Sequence, residues 1–221
     1  MSNNNKTIQK NRMMTYFINA ADEILSSDKN EPLTARKVAD SAGYNVATLY
    51  NYFNNLNHLI LYTSVKYLHA YANDLSLLHK HNLSPVDFYL KSWELFCKHS
   101  FKYPDKFHSI FFGEFNHEIV EETIKTCSEI FSNSDNNTVK LMPLLKLSNI
   151  YERDNLILSN IVSKNPNLDN NDIANISEMI ILIYQSMLYN FMVKRSNDSF
   201  EEGIHKMMCY IRQVLHSYEL I

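Results

Sequence analysis

The sequence predicts an all-α protein, and three observations carry that expectation. Only 3 Gly and 5 Pro interrupt 221 residues, too few breakers for a chain built of hairpins and tight turns. Apolar residues recur at spacings of three and four through most of the chain, the pattern of helices with one face on a core. No segment alternates with period two for long enough to be a strand. The expected architecture is an N-terminal three-helix unit over residues 1–55 and a larger helical bundle over 56–221, about nine helices in all.

Residues 1–6 are polar and Asn-rich and read as a loose arm. From Thr7 the positions Ile8, Met13, Phe17, Ala20, Ala21, Ile24 and Leu25 recur at helical spacing and give a first helix to residue 26. A polar turn follows over 27–32. Thr34 then stands as the N-cap of a short helix carrying Val38, Ala39 and Ala42, which Gly43 ends. Asn45 caps the next helix, which runs to Tyr52 or Phe53. After the break at Asn54 and Asn55, a long helix starts near Leu56 and reaches about His81. Ser84-Pro85 opens another, with Ser at the cap and Pro at the first helical position, and Tyr103-Pro104 starts the one after it. Residues 132–137 read as an Asn/Ser loop. Pro143 begins or kinks a helix that reaches Ser163, and residues 165–171, with Pro166, form a second loop. The last two helices cover 172–195 and 199–219, separated by Ser196-Asn197-Asp198.

Composition narrows the function classes. The three cysteines, Cys97, Cys127 and Cys209, are odd in number and lack a C-x-x-C spacing, so they read as buried thiols of a reducing compartment. The N-terminus has no secretory apolar region. The most apolar stretch, residues 179–193, is interrupted by Gln185, Ser186 and Asn190 and is too short and polar to span a bilayer. A cytoplasmic protein without membrane contact is expected. The net charge of −3 does not announce a nucleic-acid binder, yet residues 1–60 carry six basic against five acidic side chains, while the remainder is acidic on balance.

The function-bearing segment follows from that division. Two short helices, one ending at Gly43 and the next beginning two residues later, have the form of a helix-turn-helix, whose turn needs a left-handed residue. The string from Thr34 to Phe53, with Val38-Ala39, Ala42-Gly43 and Thr48-Leu49-Tyr50-Asn51-Tyr52-Phe53, closely resembles the DNA-binding motif of TetR-family transcriptional regulators. An apolar residue usually follows that Phe by six positions, and here it is Leu59. Relatives commonly carry Lys where this chain has Leu56. The resemblance covers about residues 7–70; beyond about residue 75 only the architecture is similar.

The chemistry fits double-stranded DNA. The Thr34 hydroxyl and nearby N–H groups can hold a phosphate at a helix N-terminus, and Arg36 and Lys37 are the cationic candidates. In an unplaced helix those two would simply be a solvated face. Asn45 caps the recognition helix. Val46, Ala47 and the Thr48 methyl suit thymine methyl groups, and Asn51 can pair with adenine or a phosphate. By resemblance, Tyr50 reaches the DNA backbone while Tyr52 and Phe53 pack inward. The resemblance also implies a small-molecule effector pocket among the middle helices. Trp93, Phe96, Tyr103, Phe107, Phe111, Tyr151, Met179 and Tyr184 are its candidate wall, ordinary core being the plain alternative. The last two helices are apolar over more than one stripe, which points to a homodimer through Ile176, Ile180, Ile183, Met187, Phe191, Ile204, Met208, Ile211 and Leu215. Such a dimer would read a palindromic operator, and the resemblance alone implies that it acts as a repressor released by an effector.

Two other readings compete. Glu114-x-x-His117 and Glu202-x-x-His205, with Glu94 and Glu178, have the ligand types of a carboxylate-bridged di-metal enzyme. No Walker, Rossmann or nucleophile-elbow string is present, so no catalysis and no cofactor are expected. The other is a helical interaction module whose helix-turn-helix is vestigial.

Overall fold

The computed structural model describes residues 3–27, 32–131, 149–162, 165 and 167–221. It is all-helical, with no strand among the described residues. The elements are α1 (Asn3–Ser26), α2 (Ala35–Ala42), α3 (Val46–Tyr50), α4 (Leu56–Leu78), α5 (Pro85–Lys102), α6 (Pro104–Phe111), α7 (His117–Phe131), α8 (Ile150–Val162), α9 (Asn170–Met192) and α10 (Phe200–Ser217).

Helix starts follow their caps. Thr34, Asn45, Asn55, Ser84, Asp169 and Ser199 each accept a hydrogen bond from a first-turn N–H of the helix that follows. Asp169 with Asp172 and Ser199 with Glu202 form reciprocal capping boxes. Several expected bounds are corrected. The first helix begins at Asn3, so residues 3–6 are helical and not a loose arm. α3 is barely more than one turn, and Tyr52 and Phe53 lie beyond it. α9 begins at Asn170 because Asp169, inside the expected loop, is its cap. The helix begun at Pro104 breaks at residues 112–116. Gly113 sits in that break, where a Cβ would collide with the Ser109 carbonyl group. The expected 132–137 loop, Pro143, Ser163 and Pro166 lie outside the described residues.

α4 is the spine. It packs against α1 on one side and against α5, α6 and α7 further along. α9 crosses α5, α6, α8 and α10, and α10 returns along α5. The α1–α4 seam is tied by Asp22, which accepts from Lys66 Nζ at 2.8 Å and from the Tyr67 hydroxyl at 2.7 Å. Burial, with Asp22 alongside, pushes the Tyr67 phenol up to about 12. Cys97 and Cys127 are buried, and burial raises both thiols well above their ordinary value. Cys209 is only half-buried, against expectation.

Gly203 shows how the last two helices close. A glycine inside a helix costs up to about 1 kcal/mol relative to alanine, so its presence needs a packing reason. The Phe191 ring supplies one: it stacks on Phe101 at 4.8 Å, and a Cβ at Gly203 would come within 2.6 Å of Phe191 Cε2. Gly203→Val is expected to cost about 1–3 kcal/mol, the scale of overpacking, read as a lowered thermal midpoint. Adding Phe191→Leu should recover part of the loss; no loss in the single variant would show that the ring moves aside freely.

Candidate functional site

The first three helices bring one group of side chains to a common outer surface. The Thr34 hydroxyl accepts from the Lys37 N–H at 3.3 Å. Asn45 Oδ1 accepts from the Thr48 N–H at 2.8 Å and from the Thr48 hydroxyl at 2.9 Å. Gly43 stands between them with φ 80°. Its N–H and that of Tyr44 close the end of α2 on the Asp40 and Ala39 carbonyls, at 3.2 and 2.9 Å. A Cβ at Gly43 would meet nothing within 4 Å. The glycine is therefore demanded by its left-handed backbone and not by crowding.

α3 is held by one residue. Leu49 is fully buried, while Ala47, Tyr50 and Asn51 on the other side are exposed and Val46 and Thr48 are half-buried. Beneath it Phe17 is fully buried, with ring centroids 5.6 Å from Tyr44, 6.2 Å from Tyr52 and 6.2 Å from Phe53. Phe53 also meets Tyr62 of α4 edge-on at 5.4 Å. Tyr52 and Phe53 thus pack inward and Tyr50 stays out. Thr34, Arg36 and Asn45 are exposed. Arg36 Nε lies 3.9 Å from Asp40 in an exposed i,i+4 pair, a contact weak enough to be exchanged for a phosphate. Lys37 Nζ donates to the Pro32 carbonyl at 3.3 Å.

Sequence reasoning missed Tyr44 and Tyr16, both exposed, with ring centroids 6.3 Å apart beside this surface. Tyr44 follows Gly43 and belongs to no helix period, so only the turn's geometry reveals where it points. It also missed the joint to the bundle: Asn57 Nδ2 donates to Glu114 Oε1 at 2.7 Å, and the His58 ring lies 6.3 Å from Phe115. Burial lowers the His58 imidazole below its ordinary value, favouring the neutral ring.

Inside the bundle, a cavity of about 30 Å³ is lined by Tyr71, Trp93, Phe96, Ile150, Arg153 and Asp154, among others. Of the expected wall, only Trp93 and Phe96 line it. Phe111 and Tyr184 stand behind them: Phe111 packs on Phe96 at 5.6 Å, and Tyr184 meets Trp93 at 5.4 Å and Phe96 at 5.2 Å. Phe107 is core against Phe96. Tyr103 is corrected, because its ring packs at a tilt against Tyr67 of α4, centroids 4.5 Å apart, at the α5–α6 corner. Tyr151 is half-buried and does not line the cavity, and Met179 is exposed on the outer face of α9. Arg153 and Asp154 are among the members missed, adjacent charges of a kind that normally face water.

The expected homodimer stripe also needs correction. Ile176, Ile180, Ile211 and Leu215 are fully buried in the protomer's own core. Ile183, Met187, Phe191, Ile204 and Met208 are half-buried and pack against that core. The apolar side chains left facing out are Met179, Leu182 and Tyr189 on α9, with Ser186 exposed between them, and Tyr210 on α10. Positions 179, 182, 186 and 189 are spaced three, four and three apart, the seam of two helices packed lengthwise.

The two Glu-x-x-His strings do not form paired ligand faces. Glu114 sits in the α6–α7 connection, bonded to Asn57, and Glu202 is engaged in its capping box. Glu94 and His205 line one open groove between α5 and α10, while Glu178 is exposed on α9. Among the described residues no group of three His, Cys, Asp or Glu side chains is placed to hold a metal ion. No described helix is long and apolar enough to cross a membrane. Compared with known proteins, the chain matches no family model and no curated protein.

Proposed function

We propose that this chain is a cytoplasmic DNA-binding transcriptional regulator of the TetR type, a homodimer that represses from a palindromic operator and is released by a small-molecule effector. The observation that carries the reading is the α2–Gly43–α3 unit. It anchors a short helix through Leu49 and leaves Ala47, Tyr50 and Asn51 exposed, with the starts of both α2 and α3 capped. Residues 1–60 carry six basic against five acidic side chains, so DNA affinity leans on placed hydrogen bonds and apolar contacts to base edges more than on charge. Effector binding in the bundle would favour a head spacing that no longer fits adjacent major grooves, and operator DNA would weaken effector binding by the same factor.

Selection of bound fragments from random DNA by the purified protein tests this. The expected result is an inverted repeat whose half-sites lie about one helical turn apart. Tyr50→Phe should weaken binding to that site by about fivefold, one hydrogen bond's worth, without moving the thermal midpoint. Recovery of no preferred sequence would overturn the reading and leave a helical interaction module.

A further inference from the structure

The centre of the bundle holds a buried cation, two of whose donor nitrogens have no acceptor. Arg153 and Asp154 are neighbours on α8 and are only 5% and 4% exposed. Consecutive helical residues point in different directions, and these two meet different partners. Asp154 turns to α5, where it accepts from Trp93 Nε1 at 2.8 Å and from the Tyr89 hydroxyl at 3.2 Å. The Arg153 guanidinium instead lies among aromatic rings, with Cζ 5.4, 5.2 and 5.1 Å from the ring centres of Tyr71, Phe96 and Phe111. Its Nε and Nη1 are buried with no hydrogen-bond partner, and no carboxylate of the described residues forms an ion pair with it.

Ring faces attract the charge of a guanidinium and leave its in-plane N–H donors unused. Buried donors of a charged group without acceptors are among the most costly features a core can contain. Arg153 also lines the cavity beside Trp93 and Phe96, and about 30 Å³ is more than one water needs. Burial raises the Asp154 carboxyl above its ordinary value, while its bonds to Ser177, Trp93 and Tyr89 and the charge of Arg153 act the other way. The wall therefore offers guanidinium donors without acceptors at one point and largely apolar surface elsewhere.

We propose that this cavity binds a small organic monocarboxylate, its carboxylate accepting from the free donors of Arg153 and its short apolar body lying against Trp93, Phe96 and Ile150. A planar guanidinium is the side chain best matched to a carboxylate. Nε and Nη1 lie on different edges of that plane, so one carboxylate oxygen and a second acceptor, a ligand hydroxyl or a water, together complete the set. The assignment rests on the sensor reading of the bundle only for its consequence at DNA; the anion site itself does not depend on it.

The test uses the full-length protein with acetate, propionate and isobutyrate, each paired with its amide, at constant chloride concentration and ionic strength. Trp93 is the only tryptophan, and its indole N–H is bonded to a cavity residue. Saturable change in its emission with the carboxylates, a rise in thermal midpoint, and neither with the amides is the expected result. Arg153→Met should lose that binding by about 10- to 100-fold, the scale of hydrogen bonds to a charged group. Its midpoint without ligand should stay level or rise, because a buried unpaired charge does not stabilise the fold. Should Arg153→Met fail to fold, Arg153→Lys decides: it keeps the charge, loses the planar fork, and is expected to weaken isobutyrate binding at least tenfold. Equal response to carboxylates and amides, or unchanged affinity in the folded Arg153 variant, would overturn the proposal, as would competition by chloride as strong as by carboxylate. Carboxylate binding that leaves an operator complex intact would uphold the anion site and remove the sensor reading, so the two fail separately.

Discussion

Phe17→Ala is expected to remove about 3–5 kcal/mol of stability, the range for emptying a buried aromatic site, and to abolish DNA binding although Phe17 touches no surface. Phe17 has no exposed area, and among the described residues it is the one side chain whose ring reaches Tyr44 in the turn and both Tyr52 and Phe53 after α3. α3 has five residues, far too few to be helical on its own. Its orientation is therefore borrowed from what lies beneath it. Truncating Phe17 leaves a cavity under the turn and under the start of α4 together, and total stability is only about 5–15 kcal/mol for a typical domain. Urea denaturation followed by helical signal measures the loss, and a gel shift with the selected operator measures binding. Leu25→Ala, at an exposed position of the same helix outside that surface, serves as the comparison and should leave both unchanged. A loss below about 1 kcal/mol for Phe17→Ala would mean that the first helix does not carry the head.

What the sequence made legible was whatever is decided locally. Thr34, Gly43, Asn45 and Ser84 act within one helical turn of themselves, and each does what its residue type implies. Leu49 inward with Tyr50 and Asn51 outward follows from the same short-range geometry. The break at 112–116 was not foreseen, because Gly113 needs its place only through the backbone of Ser109 one turn earlier. Nor was the cavity, because Arg153 and Asp154 are adjacent charges of a kind that normally face water. Only the arrival of Trp93 and Tyr89 from α5 and of Tyr71 from α4 turns them inward. Tyr103 was assigned to the wrong face for the same reason: its partner, Tyr67, lies 36 positions away on another helix.

The proposed dimer surface shows the limit most sharply. A helix apolar on two stripes announces two partners, but its sequence does not say which stripe meets which. On α9 the stripe of Ile176, Ile180 and Tyr184 is taken by the protomer's own core. Leu182 is left 52% exposed between Met179 and Tyr189. Replacing an exposed leucine by glutamate barely disturbs a monomer, since surface changes stay within about 0.5 kcal/mol. The same change at the centre of a two-fold interface buries two like charges facing each other, at a cost of several kcal/mol. Leu182→Glu is therefore expected to convert a dimer into a folded monomer in sedimentation, with the thermal midpoint at low protein concentration nearly unmoved. Operator affinity should fall by about 10²–10⁴-fold, because the second half-site loses the effective concentration that linkage provides. Ile180→Glu is the discriminating companion: at a fully buried core position it should unfold the protomer outright, with no folded monomer to sediment. If Leu182→Glu stayed dimeric, the exposed stripe would not be the interface. If Ile180→Glu gave a folded monomer, the stripe expected from sequence alone would be the interface after all.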